Sequence, residues 1–563
     1  MKTIKTIIII LLAFRFTGYA QERVNERVYI HLDKECYIAG EDIWLKFLVV
    51  DKHFQPSTLS SVGYVEISDA EKPYLQWKIS LEKGKGSGKI KLPGHIPSGV
   101  YQLSGYTKYM RNENQEVFFK KKIGIINMAE GQSGKVELLE KREEKEYITI
   151  NPQGNIRIIT DKNQYSKRNK VNLSIDNLPE EVKDLTVSVI YNDSIASFPI
   201  DPAEWTKQVS TASASSIGKK WLPEYEGHII QGKIIPLTDE NKIEEDHTRL
   251  TSTLSFVGKD IRVTSGEIDP SAKEITFYTE GVYGNQDMVA SIAKNGFPAG
   301  YRMEIISPFQ EVTAQALPEL KLLPDDKSLI YRHIQLQYQQ LHAIDSLGNA
   351  TPVKNLYDLP LFLAYDLDEY TRFNTQEQTL IEFVMGVTTR KADGRDRIKV
   401  FKADRHQVNL GNTLVLLDGI PLYDHELILK YNPHLLKKID VYDGKYVFGK
   451  EDFDCIVAFH SIRGNLPSIR LSEESQLFPY HCPELPVTFK APGYENETPA
   501  NSLFPDFRHT LFWEPVVEEM IENKKVDLSF YTSDWTGEYK IVVEGFAKDG
   551  SPIYGCSFLQ IIP

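Results

Sequence analysis

A chain of 563 residues is too long for a single hydrophobic core, because domains run to about 100 to 200 residues, and roughly four or five modules are expected. Its net charge of −13 comes without a basic stripe, which excludes nucleic acid as a natural partner. Aromatic residues at 11%, with abundant Tyr, Ile and Val, favour half-buried strands, while four scattered cysteines without a CxxC pair exclude a zinc site and a dense disulfide framework.

The first residues read as an export signal. Met1 to Lys5 carries two lysines, Thr6 to Phe14 is a short apolar run, and Gly18-Tyr19-Ala20 offers the small residues a signal peptidase reads, so a signal peptide over 1–20 with cleavage after Ala20 is expected. The chain is then exported, periplasmic or associated with an outer membrane. The apolar run is short of the roughly 20 residues a membrane helix needs, and no later stretch reaches that length, so the mature chain is expected to be peripheral to a membrane rather than spanning it. No cysteine follows the apolar run, which speaks against a lipid anchor.

From Val28 to Asp51 two alternating apolar runs flank a turn at Ala39-Gly40-Glu41, and Tyr101, Leu103 and Gly105 continue the period of two; a β-sandwich over 21–128 is expected. Asp161-Lys162-Asn163-Gln164-Tyr165, followed by Val171, Leu173 and Ile175, repeats Asp33-Lys34-Glu35-Cys36-Tyr37 followed by Ile43, Leu45 and Phe47 at the same spacing, which marks a second sandwich over 145–220. The charged stretch Glu137 to Glu146 reads as a linker or a connecting strand. Leu222 to His228 breaks the pattern, and alternation resumes through Leu254-Ser255-Phe256-Val257 and Ile275-Thr276-Phe277-Tyr278, giving a third sandwich over 226–310.

Helical periodicity enters in a connector over 320–400. Ile330, Ile334, Tyr338, Leu341 and Ile344 recur at steps of three and four between Asp325 and Leu347, before Gly348, and Thr375 with Gln378 can open a second helix running through Ile381 and Val384. His333 and His342 lack the neighbouring carboxylates or thiols of a metal site. A small domain over 401–470 and a C-terminal sandwich over 483–563, with Tyr539, Ile541 and Val543 alternating, complete the chain.

Several of these stretches resemble known families. Asp33, Lys34, Tyr37, Gly40 and Glu41, with the downstream run Ser98 to Thr107, resemble the macroglobulin-type sandwich of bacterial α-2-macroglobulin relatives. Glu226 to Phe309 is similar to the carboxypeptidase-regulatory-like sandwiches of Bacteroidetes outer-membrane proteins. Leu414 to Leu422, Tyr431-Asn432-Pro433, Lys438 to Val441, Gly449 and Ile456 to Phe459 resemble in their order the plug domain of TonB-dependent receptors, although Cys455 stands where such plugs carry glycine. A receptor would continue into a long barrel, and only about a hundred residues follow, so no barrel is expected here. Phe504 to Arg508, Trp513-Glu514-Pro515 and Ser533 to Tyr539 are reminiscent of an α-2-macroglobulin family domain. The resemblance implies a mainly β chain of tandem macroglobulin-like and immunoglobulin-like β-sandwiches, joined to a small α+β plug-like domain and a short helical segment.

No catalytic pattern accompanies these modules. The cysteines lack the Cys-Gly-Glu-Gln context of a macroglobulin thioester, Gly84 to Lys89 lacks the spacing of a phosphate loop, and HExxH, GxSxG and calcium-loop patterns are absent from the sequence, so no enzyme activity, no cofactor and no metal site are expected. Asp418-Gly419 is a turn signal after an apolar strand, and Leu416, Leu417, Asp418, Gly419, Ile420 and Pro421 are assigned a structural or docking role, with Asp33, Lys34, Tyr37, Gly40 and Glu41 as structural residues. Trp44, Trp513 and Trp535 are read as packing residues. Cys482 and Cys556 could pair, or all four thiols could stay free. The expected function is noncatalytic binding or assembly in the cell envelope, docking on an outer-membrane protein through the plug-like domain, with a small-molecule ligand left open; the alternative is a thioester-free protease inhibitor whose bait loop lies in Asn192 to Lys219.

Overall fold

The computed structural model describes residues 25–129, 136–138, 156–193, 198, 200–212, 221–238, 250–257, 262–313, 316–322, 327–341, 361–392, 394–401, 408, 411–448, 451–495 and 505–563. The expected signal peptide lies outside them. The chain is mainly β, and none of its described helices is long and apolar enough to cross a membrane.

The first sandwich faces a three-stranded sheet (Arg27–Leu32, Asp42–Val50, Lys85–Lys91) against a five-stranded one built on Val62–Ser68, Gly99–Thr107 and Phe119–Ile126. Alternation sets the inward faces, so Ile43, Leu45, Phe47, Tyr64, Leu103 and Tyr106 meet in one core. Arg27–Leu32 is buried on both sides because its outer face meets the second sandwich, where Tyr29 donates to Glu544 at 2.7 Å and His31 packs edge-on against Trp513.

The second sandwich corrects the expected division of the chain. Segments 145–220 and 483–563 were expected to form separate sandwiches, yet Val182–Tyr191 is hydrogen-bonded between Thr510–Glu514 and Gly537–Ala547, and Lys170–Asp176 pairs with Val526–Tyr531. Val171, Leu173 and Ile175 share a core with Leu511, Phe530, Ile541 and Val543. The reason is size: the four short strands of 156–193 bury too little apolar surface to stand alone and need the C-terminal strands opposite them.

The third module, expected over 226–310, is one sheet folded over on itself. Arg262–Asp269 makes the corner, pairing with Leu250–Phe256 through its first half and with Glu274–Thr279 through its second. It also needs a strand from far downstream, since Ser475–His481 lies beside Asn285–Lys294.

The small module expected over 401–470, where the plug resemblance lies, starts earlier than that boundary. Its sheet runs in the order Leu361–Asp366, Leu436–Phe448, Glu451–Ser461, Thr413–Leu417, Ile420–Pro421, and the hairpin Val387–Ala392 with Arg395–Val400 covers one face. The helix Gln376–Glu382, capped where Thr375 accepts from the Gln378 amide at 3.2 Å, packs Leu380 into the same core, so half of the expected connector belongs here. The other connector helix, Lys327–Leu341, lies against the sandwiches, and its buried face is not the expected one. Leu329, Arg332 and Leu336 point inward while Ile330 and Ile334 are exposed, because an arginine serves the core at the position where the pattern of apolar residues suggested solvent.

Candidate functional site

The two copies of the Asp-Lys motif build the same local device. Asp33 accepts from the Tyr37 hydroxyl at 3.0 Å and the Trp44 amide at 3.1 Å, and Asp161 accepts from the Tyr165 hydroxyl at 2.7 Å and the Asn172 amide at 2.8 Å. The carboxylate thus pins a short parallel edge strand to the strand that follows eleven residues on. Gly40, at φ 90°, allows the tight return that lets Glu41 accept from the Ile38 amide at 3.0 Å.

In the first copy this device has become the meeting point of three segments. Thr510 of the second sandwich donates to Asp33 at 2.8 Å, and Arg332 reaches in from its helix to grip Glu41 with two bonds of 3.1 and 2.7 Å, Asp193 at 3.2 Å and the Cys36 carbonyl at 2.8 Å. His509 meets the same Asp193 oxygen at 3.0 Å, and Lys34 stands 3.4 Å from Glu41. Burial alone would raise the Glu41 carboxyl, but Arg332 and Lys34 outweigh it and hold the group below the usual carboxylate range. The same burial pushes the Cys36 thiol up to about 12. A second weld between these sandwiches joins Lys46 to Asp184 at 2.6 Å, with Glu518 between Lys46 and Lys85.

A third buried cluster joins the first sandwich to the third module. Glu224, fully buried, accepts from the Tyr64 hydroxyl at 2.8 Å, His228 Nδ1 at 2.9 Å and the Ile229 amide at 2.8 Å, and His228 Nε2 meets the Tyr480 hydroxyl at 2.7 Å. Lys78 sits 4.0 Å above the Tyr480 ring, and Lys108 donates to the Ile229 carbonyl at 2.9 Å. Burial holds the His228 imidazole down at about 4 and the Lys78 and Lys108 ammonium groups at about 8. The neutral imidazole therefore donates through Nδ1 to Glu224 and accepts through Nε2. A Glu-His-Tyr chain is acid–base machinery in form; Glu224, His228 and Tyr64 are buried and spend their bonds on module contacts, while Tyr480 at the end of the chain is half-buried, so the cluster holds the joint together. Sequence reasoning missed Arg332, Glu224 and His228; the one available signal was a charged residue in register with Leu329 and Leu336.

The plug-like motif is structural in its geometry. Leu416, Leu417, Asp418, Gly419, Ile420 and Pro421 are all buried, which withdraws them from any docking surface. Asp418 and Gly419 turn with φ of 46° and 82°, and the Asp418 carboxylate accepts from the Ser461 amide at 2.7 Å, the Ser461 hydroxyl at 2.6 Å and the Leu466 amide at 2.9 Å. Leu416 packs with Leu414, Ile456 and Ala458 against Ala293 of the third module, while Val415 and Leu417 face the module's own core. Arg397 seals this joint by donating to the carbonyls of Tyr423 at 2.6 Å and Gly296 at 2.8 Å. Both faces of the sheet are therefore covered; Leu361, Ile381 and Met385 are exposed toward one edge, and Val447 and Ile462 are exposed elsewhere on the module.

The remaining candidates fall into place beside these. Cys482 lies in the core of the third module and Cys556 on a strand of the second sandwich, and all four cysteines are free, so the considered disulfide does not form. Trp513 and Trp535 are buried packing residues, and Trp44 packs edge-on against Phe489. Within the expected bait segment, Pro202–Thr211 is a helix capped by Asp201, with Trp205 wedged between Tyr29, Phe54 and Phe546; residues 213–220 lie outside the described residues. Among the described residues no cluster of His, Cys, Asp and Glu has the arrangement of a metal site.

Comparison with known proteins gives likenesses to bacterial α-2-macroglobulins. The chain is 8% identical to trypsin-activated α-2-macroglobulin from Escherichia coli, with 96% of this chain and 41% of that one covered at a TM-score of 0.23. It is 9% identical to Salmonella α-2-macroglobulin reacted with methylamine, with 95% and 39% covered at a TM-score of 0.23. A dimeric latent PorU from Porphyromonas gingivalis is similar at 7% identity, with 96% and 34% covered and a TM-score of 0.14. The chain thus spans about two-fifths or less of the length of these proteins. No family model and no curated protein matches the sequence.

Proposed function

We propose that this chain is an exported, noncatalytic binding or assembly protein of the cell envelope, a framework of β-modules that presents its plug-like module to an outer-membrane partner. The observation that carries the reading is the path of the chain. After leaving the plug-like module it adds Ser475–His481 to the third module, and the Glu484 backbone pairs with Lys78 and Ser80 of the first sandwich. It then completes the second sandwich with Thr510–Glu514 and the strands beyond. The module is thereby inserted into a framework that closes behind it, and the titratable groups that could have served catalysis are consumed in the joints.

Protease entrapment is the weaker reading, because the helix Pro202–Thr211 with its buried Trp205 occupies the middle of the bait segment. Chemical cross-linking in intact envelopes, followed by mass spectrometry, tests the proposal. Cross-links from the exposed Lys391, Lys430 and Lys437 to one outer-membrane barrel protein are expected. Links confined to the sandwiches, or to a protease with cleavage inside 192–219, would overturn it.

A further inference from the structure

We infer that the edge strand of the plug-like sheet, Leu361–Asp366, captures an extended apolar segment of a partner protein flanked by lysine or arginine, and that it does so by strand addition; this deepens the proposed binding role. Three observations converge on it. The sheet ends at this strand, whose only ladder is the one to Leu436–Phe448 among the described residues. An edge strand is a template for another chain, and proteins blunt such edges with charge, proline or cover. Several other edges among the described residues are blunted: Lys85–Lys91 carries Lys85, Lys89 and Lys91, Tyr301–Ile306 carries Arg302 and Glu304, Ser475–His481 holds Pro479, and the Glu484 backbone covers the end of Pro73–Ser80. Leu361–Asp366 reads Leu-Phe-Leu-Ala-Tyr before its first charge.

The edge also continues into an apolar surface. Leu361 is 48%, Ile381 67% and Met385 72% exposed, and the loop that carries Met385 lies directly beside the strand, where a Cβ on Gly386 would meet Leu363 at 2.3 Å. Phe383 stacks on Tyr370 at 4.5 Å and gives this surface a rigid floor.

Charge then selects the occupant. Asp366 ends the strand, Asp368 and Glu369 follow it, and Glu377 and Glu382 lie on the helix Gln376–Glu382 of the same module. Arg372 is held by Asp368 and by the carbonyls of Pro433 and Leu436, and Lys438, opposite Asp366, is engaged by Asp440 at 2.8 Å. An apolar strand with cationic flanks satisfies the backbone edge, the exposed side chains and the acidic rim together.

Fluorescence anisotropy of the full chain with a labelled Lys-Lys-Val-Thr-Val-Thr-Val-Lys-Lys peptide tests this. Saturable binding is expected, weakened about tenfold or more by glutamate flanks, by N-methylation of alternate amides, or by Ile381→Asn with Met385→Gln, two exposed changes that remove apolar contact without adding charge. No binding, equal binding of the glutamate-flanked peptide, or binding unaffected by the double variant would overturn the inference, as would a dimer of the chain dissolved by the double variant, which would make a second copy the occupant. Cross-linking to a barrel protein that survives the double variant would leave the assembly reading standing while overturning this edge; peptide capture without such cross-links would do the reverse.

Discussion

The joints among the three β-modules and the plug-like module are held by different physics. At the joints, charged and polar groups are taken out of water and satisfy one another: Arg332 with Glu41 and Asp193, Lys46 with Asp184, and the neutral His228 imidazole with the Glu224 carboxylate. The small module that holds Leu361–Asp366 and Leu436–Phe448 is sealed by apolar packing on both faces and leaves Leu361, Ile381 and Met385 in solvent beside its edge strand. A buried ion pair gains little over apolar packing in net stability, but it punishes misalignment, because any loosened charge is stranded in a low dielectric. The joints are therefore built to fix one arrangement of modules, and the edge is built to remain available.

The largest effect follows from breaking that arrangement at its centre. Arg332→Ala removes the guanidinium that holds the Glu41 and Asp193 carboxylates together, leaving Lys34 beside Glu41 and His509 beside Asp193, and a loss of about 3–5 kcal/mol is expected, measured by urea denaturation at neutral pH. Adding Glu41→Gln and Asp193→Asn should recover much of it, because the stranded charges are then gone. If the single change costs under about 1 kcal/mol, the joint is wetter than its geometry states and the comparison fails.

Acid should separate the two regions in the same direction. The His228 imidazole lies at about 4 in the folded chain, below its ordinary value of 6.5, so the unfolded chain takes up a proton that the folded one refuses. Stability is therefore greatest above about pH 6.5, falls as the pH drops toward 4 by up to about 3 kcal/mol from this group, and levels off below. His228→Gln, which can still donate to Glu224 and accept from Tyr480, should flatten this part of the curve. An unchanged slope between pH 6.5 and 4 would show that the joint admits water to the imidazole.

The repeated motif offers an internal control of intermediate size. Asp33 and Asp161 make the same two local bonds, but Asp33 is buried and also holds Thr510, whereas Asp161 is exposed. Asp33→Ala takes the acceptor from the Trp44 amide and the Thr510 hydroxyl and should cost about 2–3 kcal/mol, while at Asp161 water replaces the carboxylate and the cost stays within about 1 kcal/mol. Equal costs would mean that the local turn, not the joint, sets the energy.

What could be read from the sequence was what is local. The Asp-to-Tyr offset of four residues, the apolar alternation and the Asp418-Gly419 turn leave their mark within a dozen residues, and the repeat, the β class and the turn were legible. The pairing of Val182–Tyr191 with Gly537–Ala547 spans more than three hundred residues and leaves no local trace, so one sandwich read as two. The helix Lys327–Leu341 misled for a related reason: its apolar Ile330 and Ile334 suggested the core, and only the acidic groups waiting at Glu41 and Asp193 reveal why Arg332 is turned inward. A docking role for Leu416 to Pro421 failed because a motif records chemistry without recording which face its neighbours cover.

The smallest effect is the most telling about the edge. Ile381 and Met385 are more than half exposed and bury little that a neutral polar side chain would disturb, so Ile381→Asn with Met385→Gln should alter unfolding free energy by no more than about 0.5 kcal/mol. Apolar residues kept in water at no gain to the fold are retained for what they meet. The sharper measurement is amide hydrogen exchange of Leu361–Asp366: strand addition should slow exchange along this strand on binding the lysine-flanked peptide while the joint around Arg332 stays unchanged. Slowing at the joint with none at the edge would place binding in the rigid framework instead.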